Sequence, residues 1–346
     1  MSRMSSRERV HATLNNKIPD RVAVMEMFID NAVIDSISPG MCYEDFIDYA
    51  DMDVVTCLTM AESPEKIDWV DKDRGLWKDK WGAFQQLTEE TISIVCGPAV
   101  IEDETDLANY TPPDPKDANV LEYARDLVAR FKGKRAIAVV GEESFAPVMN
   151  MCAGFESMFI NYCQRPDMIK KMAAMAVDYH IELYRMLLKE GVEIVILGDD
   201  YAGKNGIFMS PAHFNEFIYP GMKKLVGEVK AAGGYVIKHC DGDFWPIMDA
   251  MVSTGIDMLG PLEPAYMQLE KVRKHSNNSV GVVGNVDVDL LSIGTTEQIK
   301  EATLSLLKNV SPLGGHIISS GNTISSSVKG ENFMTMINTV KEYGYY

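Results

Sequence analysis

The sequence predicts an α/β chain folded as a (β/α)8 barrel, and three observations carry that reading. Eight short apolar runs rich in β-branched residues recur along its 346 residues. Nearly all are continuous instead of alternating, which is how strands buried on both faces read. Most of the intervals between them hold helical patterns. At 46% hydrophobic and 24% charged residues, the composition is that of a globular chain with a sizeable core. No composition shift, linker or repeat marks a second unit, so one domain is expected over 1–346. A doubly wound open sheet is the rival architecture.

The strand runs, in order, are Val22–Met27, Val54–Met60, Ala136–Gly141, Val192–Gly198, Gly234–Lys238, Ile256–Leu262, Val280–Gly284 and His316–Ser319. Helical patterns cover Asp117–Phe131, Met168–Glu190, Pro211–Ala232, Trp245–Thr254, Thr296–Val310 and Glu331–Glu342. Ser210-Pro211 and Thr296-Glu297 read as helix starts, and Gly191, Gly233 and Gly255 as helix stops. Between the second and third strands, Trp69–Ile101, with Trp77, Trp81 and the run Glu90–Val95, reads as a β-hairpin excursion.

Charge and composition exclude several classes of function. With 33 Lys+Arg against 50 Asp+Glu the net charge is −17, which argues against nucleic acid and anionic membrane surfaces. No run approaches the roughly 20 apolar residues of a membrane span, and Met1 to Lys17 has no apolar core of the signal-peptide kind. A cytoplasmic protein is expected. The six cysteines (Cys42, Cys57, Cys96, Cys152, Cys163, Cys240) form no Cys-x-x-Cys pair and are expected to be buried and reduced, and the 22 methionines are expected to fill the core. There is no dinucleotide-binding glycine loop, Walker sequence or nucleophile elbow.

Barrel enzymes act at the C-terminal ends of their strands, so the residues just past each run are informative. Strand one ends at Glu26, strand three at Glu142-Glu143 and strand four at Asp199-Asp200. Strand five ends at His239-Cys240-Asp241-Gly242-Asp243, strand six at Glu263, strand seven at Asn285-Val286-Asp287 and strand eight at Ser319-Ser320-Gly321-Asn322. Carboxylates predominate, and Lys204 and Lys238 are the only basic residues nearby. Facing one cavity, such acids repel unless protons or a cation offset them. A divalent metal is the economical remedy, and His239 supplies the nitrogen that zinc favours. The alternative is that individual acids cap helices or face solvent. Residues two apart at a strand end point the same way, so His239 and Asp241 can share an ion while Cys240 points elsewhere; Cys240 is kept as a reserve ligand. Asp199 or Asp200, then Glu263, are the nearest further donors. His213 and His180 read as structural, and His11 and His275 as solvent-facing. Tyr201, Phe208 and Trp245 could stack on an aromatic ring or pack in the core.

Several of these residues resemble one family. Ser6-Arg7-Glu8-Arg9-Val10 with Ile18-Pro19-Asp20-Arg21-Val22 resembles the opening of the uroporphyrinogen decarboxylase superfamily. So do Gly198-Asp199-Asp200, Met209-Ser210-Pro211 with Phe214, and Gly284-Asn285-Val286-Asp287. The end, Ser319-Ser320-Gly321-Asn322 followed by Glu331-Asn332-Phe333, fits too. The resemblance spans essentially the whole chain and implies the same barrel. Its decarboxylases use arginines in the loop after strand one to hold a polycarboxylate tetrapyrrole. Here that loop reads Met25-Glu26-Met27-Phe28-Ile29-Asp30, without arginine, and an acidic pocket would repel such a substrate.

The superfamily's second group, corrinoid-dependent methyltransferases, binds zinc. Those that methylate coenzyme M take ligands from a His-x-Cys pair after strand five and a Cys after strand eight. By resemblance, His239 occupies the His position, Asp241 the first Cys position and Asn322 about the second. Losing both sulfurs makes the metal a harder Lewis acid, suited to an ether or alcohol oxygen more than to a thiol. The resemblance thus implies transfer of a methyl group from a small, oxygen-linked donor to a corrinoid on a separate partner protein, since no cobalamin-binding Asp-x-His-x-x-Gly motif is present. The alternatives are uroporphyrinogen decarboxylation and a non-catalytic small-ligand barrel. The expected catalytic residues are His239, Asp241, Asp200 and Glu142; the expected substrate contacts are Glu26, Lys204, Tyr201, Asn285, Asp287 and Asn322. The expected zinc ligands come from His239, Asp241, Asp199, Glu263 and Cys240. A homodimer is expected.

Overall fold

The structure is a computed structural model that describes residues 3–59, 67–88 and 93–346. Eight parallel strands form the barrel: β1 (Ala23–Val24), β2 (Val54–Leu58), β3 (Ala136–Gly141), β4 (Ile194–Leu197), β5 (Tyr235–Lys238), β6 (Met258–Leu259), β7 (Gly281–Val283) and β8 (His316–Ile318). They pair in the order β1-β8-β7-β6-β5-β4-β3-β2, the sequential order of a (β/α)8 barrel. Every strand run in the sequence contains one of them. The ladders are shorter than the runs: β1 keeps two of the expected residues, and β6 two. Met25 and Met27 remain buried beyond the end of β1, because the barrel interior stays apolar after neighbouring strands diverge. Met60, the expected end of strand two, lies outside the described residues.

Alternation decides which side chains fill the barrel. Ala23, Val54, Ala138, Ile194, Ile237 and Ile317 meet inside it, while Val55, Val139, Val195 and Val236 pack outward against the helices. The helix Ser6–Leu14 closes the N-terminal end, inserting Val10 and Leu14 into the interior cluster. A capping box between Ser5 and Glu8 starts that helix.

β1 and β2 share no ladder. Their seam is held by the Asp53 N–H donating to the Val24 carbonyl (2.9 Å) and by the buried Asp53 carboxylate. The latter accepts from the Val24 N–H (2.8 Å) and pairs with Arg9 (2.5 Å) and Arg21 (3.3 Å).

The excursion between β2 and β3 is a four-stranded antiparallel sheet, not a hairpin: Asp68–Asp71, Leu76–Lys78, Phe84–Leu87 and Ser93–Cys96 pair in that order. Gly75 and Gly82, at positive φ (65° and 84°), mark the first two of its three connections and divide the run more finely than periodicity suggested. The start of the Glu90–Val95 run lies outside the described residues. Trp81 is fully buried and docks the sheet edge-on against Tyr179 of the long helix Pro166–Glu190, at 5.1 Å between ring centroids.

Helices fall where the patterns place them, with shifted ends. Val120–Phe131 starts three residues after its expected Asp117 because Pro115–Asp117 forms a separate turn. The cap of Thr296–Asn309 is Thr295, whose hydroxyl accepts from Gln298 while Gln298 returns to the Thr295 N–H. All six cysteines are free, though Cys42 and Cys163 are exposed, not buried. Among the described residues, no helix is long and apolar enough to cross a membrane.

Candidate functional site

Alternation along β5 continues past its last ladder residue. Ile237 faces the interior and Cys240 the outer core, so His239 and Asp241 turn into the mouth together. The His239 Nδ1 lies 2.9 Å from the Pro261 carbonyl, which can only accept, so Nδ1 carries the hydrogen. The Nε2 is then presented to Asp241 Oδ1 (3.2 Å) and Asp200 Oδ1 (3.7 Å). His239, Asp200 and Asp241 each offer one ligand atom, all within 4.8 Å of one another: a group that could hold a metal ion.

The turns around this trio lock one another. Asp200 Oδ1 accepts from the Asp241 N–H (2.8 Å), and the Asn322 amide donates to Asp241 Oδ1 (2.7 Å) across from β8. Glu263 Oε2 accepts from the Gly242 N–H (2.6 Å). Gly242, at φ 69°, must be glycine, because a Cβ there would run into the Gly203 backbone.

Burial alone would lower the His239 pKa, but the Asp241 bond and the charges of Asp200 and Asp241 leave it raised. Burial raises Asp200, with Asp241 adding to the rise. Burial also acts to raise Asp241, yet the His239 contact holds it below its ordinary value. An Nε2 lone pair facing two carboxylates is satisfied only by a proton or a cation. A ring oriented through Nδ1–H by a carbonyl is how metal-ligating histidines are held. The residues present therefore fit a divalent metal.

The other strand-end residues have different surroundings. Asp199 turns away from the trio: its Oδ2 accepts from the backbone N–H groups of Ser144 (2.9 Å) and Phe145 (2.7 Å), and burial pushes it up to about 7. It starts the helix Phe145–Met151. Cys240 receives the Tyr201 N–H at 3.3 Å, on the far side of β5 from His239, and burial pushes its thiol up to about 12. Tyr201 has no exposed surface and packs against Phe145 and Phe214, so it lines no cavity. Lys238 is also fully buried, paired with Glu143 at 2.5 Å and donating to the Asp199 carbonyl at 2.7 Å.

Glu142 sits apart from the trio, with Lys80 at 2.6 Å and His180 at 3.7 Å. Burial acts to raise it, but the Lys80 charge and the His180 bond hold it down at about 2. Glu26 ties β1 to β8, accepting from the Ser320 N–H and hydroxyl (both 2.7 Å), and burial pushes it up to about 8. Asn285 is buried and donates to the Met267 carbonyl (3.2 Å). Lys204, Asp287, Asn322 and Glu263 line one cavity of about 380 Å³ beside the trio, Asp287 also capping the helix Val288–Ile293. Sequence reasoning missed Pro261 and Lys80. A backbone carbonyl leaves no residue signature, and Lys80 lies in the excursion, whose pairing was not legible.

A model of the uroporphyrinogen decarboxylase (URO-D) family matches residues 86–343, a span holding β3 to β8 and the trio. The chain belongs to the URO-D family. The uroporphyrinogen decarboxylase of Pseudoalteromonas translucida is 26% identical over 181 residues, 51% of this chain and 48% of that protein. That of Psychromonas ingrahamii is 23% identical over 250 residues, covering 68% of each. The match thus spans about half the length of the first of these URO-D relatives. Among solved structures, a methyltransferase from Methanosarcina mazei superposes with a TM-score of 0.75 at 16% identity, over 98% of this chain and 99% of that one. A B12-independent methionine synthase from Shewanella sp. W3-18-1 gives 0.52 at 14% identity, over 86% and 85%. At these identities the two structures establish that the barrel fold is shared.

Proposed function

We propose that this URO-D family member is a methyltransferase that moves a methyl group from a small oxygen-linked donor to a corrinoid carried by a partner protein, with zinc held by His239, Asp241 and Asp200. The observation that carries the reading is the trio itself: an imidazole lone pair and two carboxylates converging at the barrel mouth. The methyltransferase fold of the M. mazei structure supports it, as does the loop 25–30, which has no arginine for a polycarboxylate.

Bound there, zinc would supply Lewis acidity toward the oxygen that loses the methyl group. The chain's own residues do the rest. Pro261 orients His239, Asn322 orients Asp241, and the Asp241 N–H holds Asp200, so the ligand set is preorganised. The adjoining cavity offers Lys204 and Asn322 as polar contacts for a small donor and is too acidic for a polyanion.

Protein purified without chelator is expected to carry about one zinc per chain by elemental analysis, falling sharply in His239→Ala. Given methoxylated aromatics and a reduced corrinoid protein, it is expected to release the corresponding phenol. A metal-free wild type indifferent to added zinc would sink the metal assignment. No turnover across a broad donor panel, with a corrinoid protein proven active toward its own enzyme, would sink the methyl transfer. A second reading, uroporphyrinogen decarboxylation, is favoured by the names of the curated relatives. Fluorimetric detection of coproporphyrin formed from uroporphyrinogen would establish it instead.

A further inference from the structure

At the mouth end of the β1–β2 seam, among the described residues, no strand pairs with the edge of β2 that faces β1. The Thr56 N–H donates instead to the Tyr43 hydroxyl (3.0 Å), which stands where a ladder carbonyl would be. The same hydroxyl also meets Thr56 Oγ1 (2.8 Å). Beside this tyrosine, along the seam, lies a pocket of about 170 Å³. Phe28 and Ile29 from beyond β1, Cys57 and Leu58 of β2, and the rings of Tyr43 and Tyr123 form its walls.

Among the described residues, none that lines it carries a charge. Burial pushes the Tyr43 hydroxyl and the Cys57 thiol each up to about 12, so both are neutral at physiological pH. The Tyr123 hydroxyl is taken by Glu44 (2.6 Å), as Tyr43 is by Thr56, so the pocket meets their ring carbons. Phe28 (40% exposed) and Tyr123 (37%) reach solvent, and Asn31 stands at the rim. A dry apolar cavity of about 150 Å³ is large enough to take benzene.

We propose that the seam pocket is a binding site for a single planar aromatic ring, bearing at most one small polar group directed to Asn31 at the rim. Aromatic walls favour such a ring through offset or edge contacts over an aliphatic one of equal size. The pocket shares no lining residue with the His239 trio.

Calorimetric or ligand-observed NMR titration with benzene and toluene, neither of which carries an oxygen for the His239 site, is expected to show saturable binding at about one site per chain, and cyclohexane several-fold weaker binding. Asn31 is exposed on the first turn of the helix Asn31–Ile37, so Asn31→Trp is expected to fold normally by circular dichroism while blocking the rim. It is expected to weaken benzene binding about tenfold or more, whereas His239→Ala leaves it unchanged. That last arm separates the pocket from the proposed methyl-transfer site, so either reading can fail alone. No saturation up to the solubility limit, equal affinity for cyclohexane, undiminished binding in Asn31→Trp, or loss in His239→Ala would each overturn the proposal.

Discussion

His239 and Glu142 are both buried titratable groups just past a strand end, and their partners separate them. His239 faces two acids and only a carbonyl behind it, which leaves a negative surplus that a cation can fill. Glu142 already has its cation in Lys80, and its pKa lies below the ordinary 4.5, at about 2. The folded chain therefore binds that proton more weakly than the unfolded one. The stabilisation is complete above about pH 4.5 and is lost as pH falls toward 2. Lys80→Met leaves the buried carboxylate with His180 as its one remaining partner among the described residues, and a loss of about 3–5 kcal/mol at neutral pH is expected from chemical denaturation. Because Glu142 would then be easier to protonate when folded, part of that loss is expected to return on mild acidification. A variant whose stability is unchanged at pH 7 would show that the pair contributes nothing.

At the scale of elements, the mouth depends on turns approaching one another more than on the strands beneath. The turn after β5 lies against the short hairpin of Ala202–Gly203 and Gly206–Ile207, so closely that Gly242 has no room for a side chain. Gly242→Ala is expected to cost about 1–3 kcal/mol from the positive φ alone, with the clash added. It is also expected to displace Asp241 and Glu263, so thermal melting and zinc content should fall together. Retained zinc content with lowered melting temperature would show that the turn is structural only. The excursion sheet illustrates the opposite dependence: its strands are three or four residues long, and Trp81 holds it to Tyr179 of another helix.

For the whole molecule, closure is the weak point, because seven strand pairs are laddered and the eighth is not. Asp53 spans that gap with one backbone bond, one carboxylate bond and two arginines, all buried. Asp53→Asn removes the charge from both ion pairs, leaving, among the described residues, Arg21 without an anionic partner and Arg9 with Asp20 alone. A global loss of about 3–5 kcal/mol is expected in urea denaturation. If unfolding remains as in the wild type, the seam is closed by packing of Val10 and Leu14 and not by this cluster.

The barrel, its strand positions and most helices were legible in the sequence, because burial on both faces writes a continuous apolar run and helix packing writes a repeat near 3.6. The pairing of His239 with Asp241 was legible for a related reason: residues two apart at a strand end share a face. What only the tertiary structure decided is which of the other acids joins them. Asp199 and Asp200 are neighbours in sequence, yet one is taken by the N–H groups of Ser144 and Phe145 and the other meets His239. Glu142 is claimed by Lys80 from an excursion whose strands are too short to carry a period. The open seam was equally hidden, since an unpaired edge is a relation between two strands and no single residue encodes it. Local sequence sets where a side chain leaves the backbone; the partner it finds depends on segments far along the chain, brought close only by the closed fold.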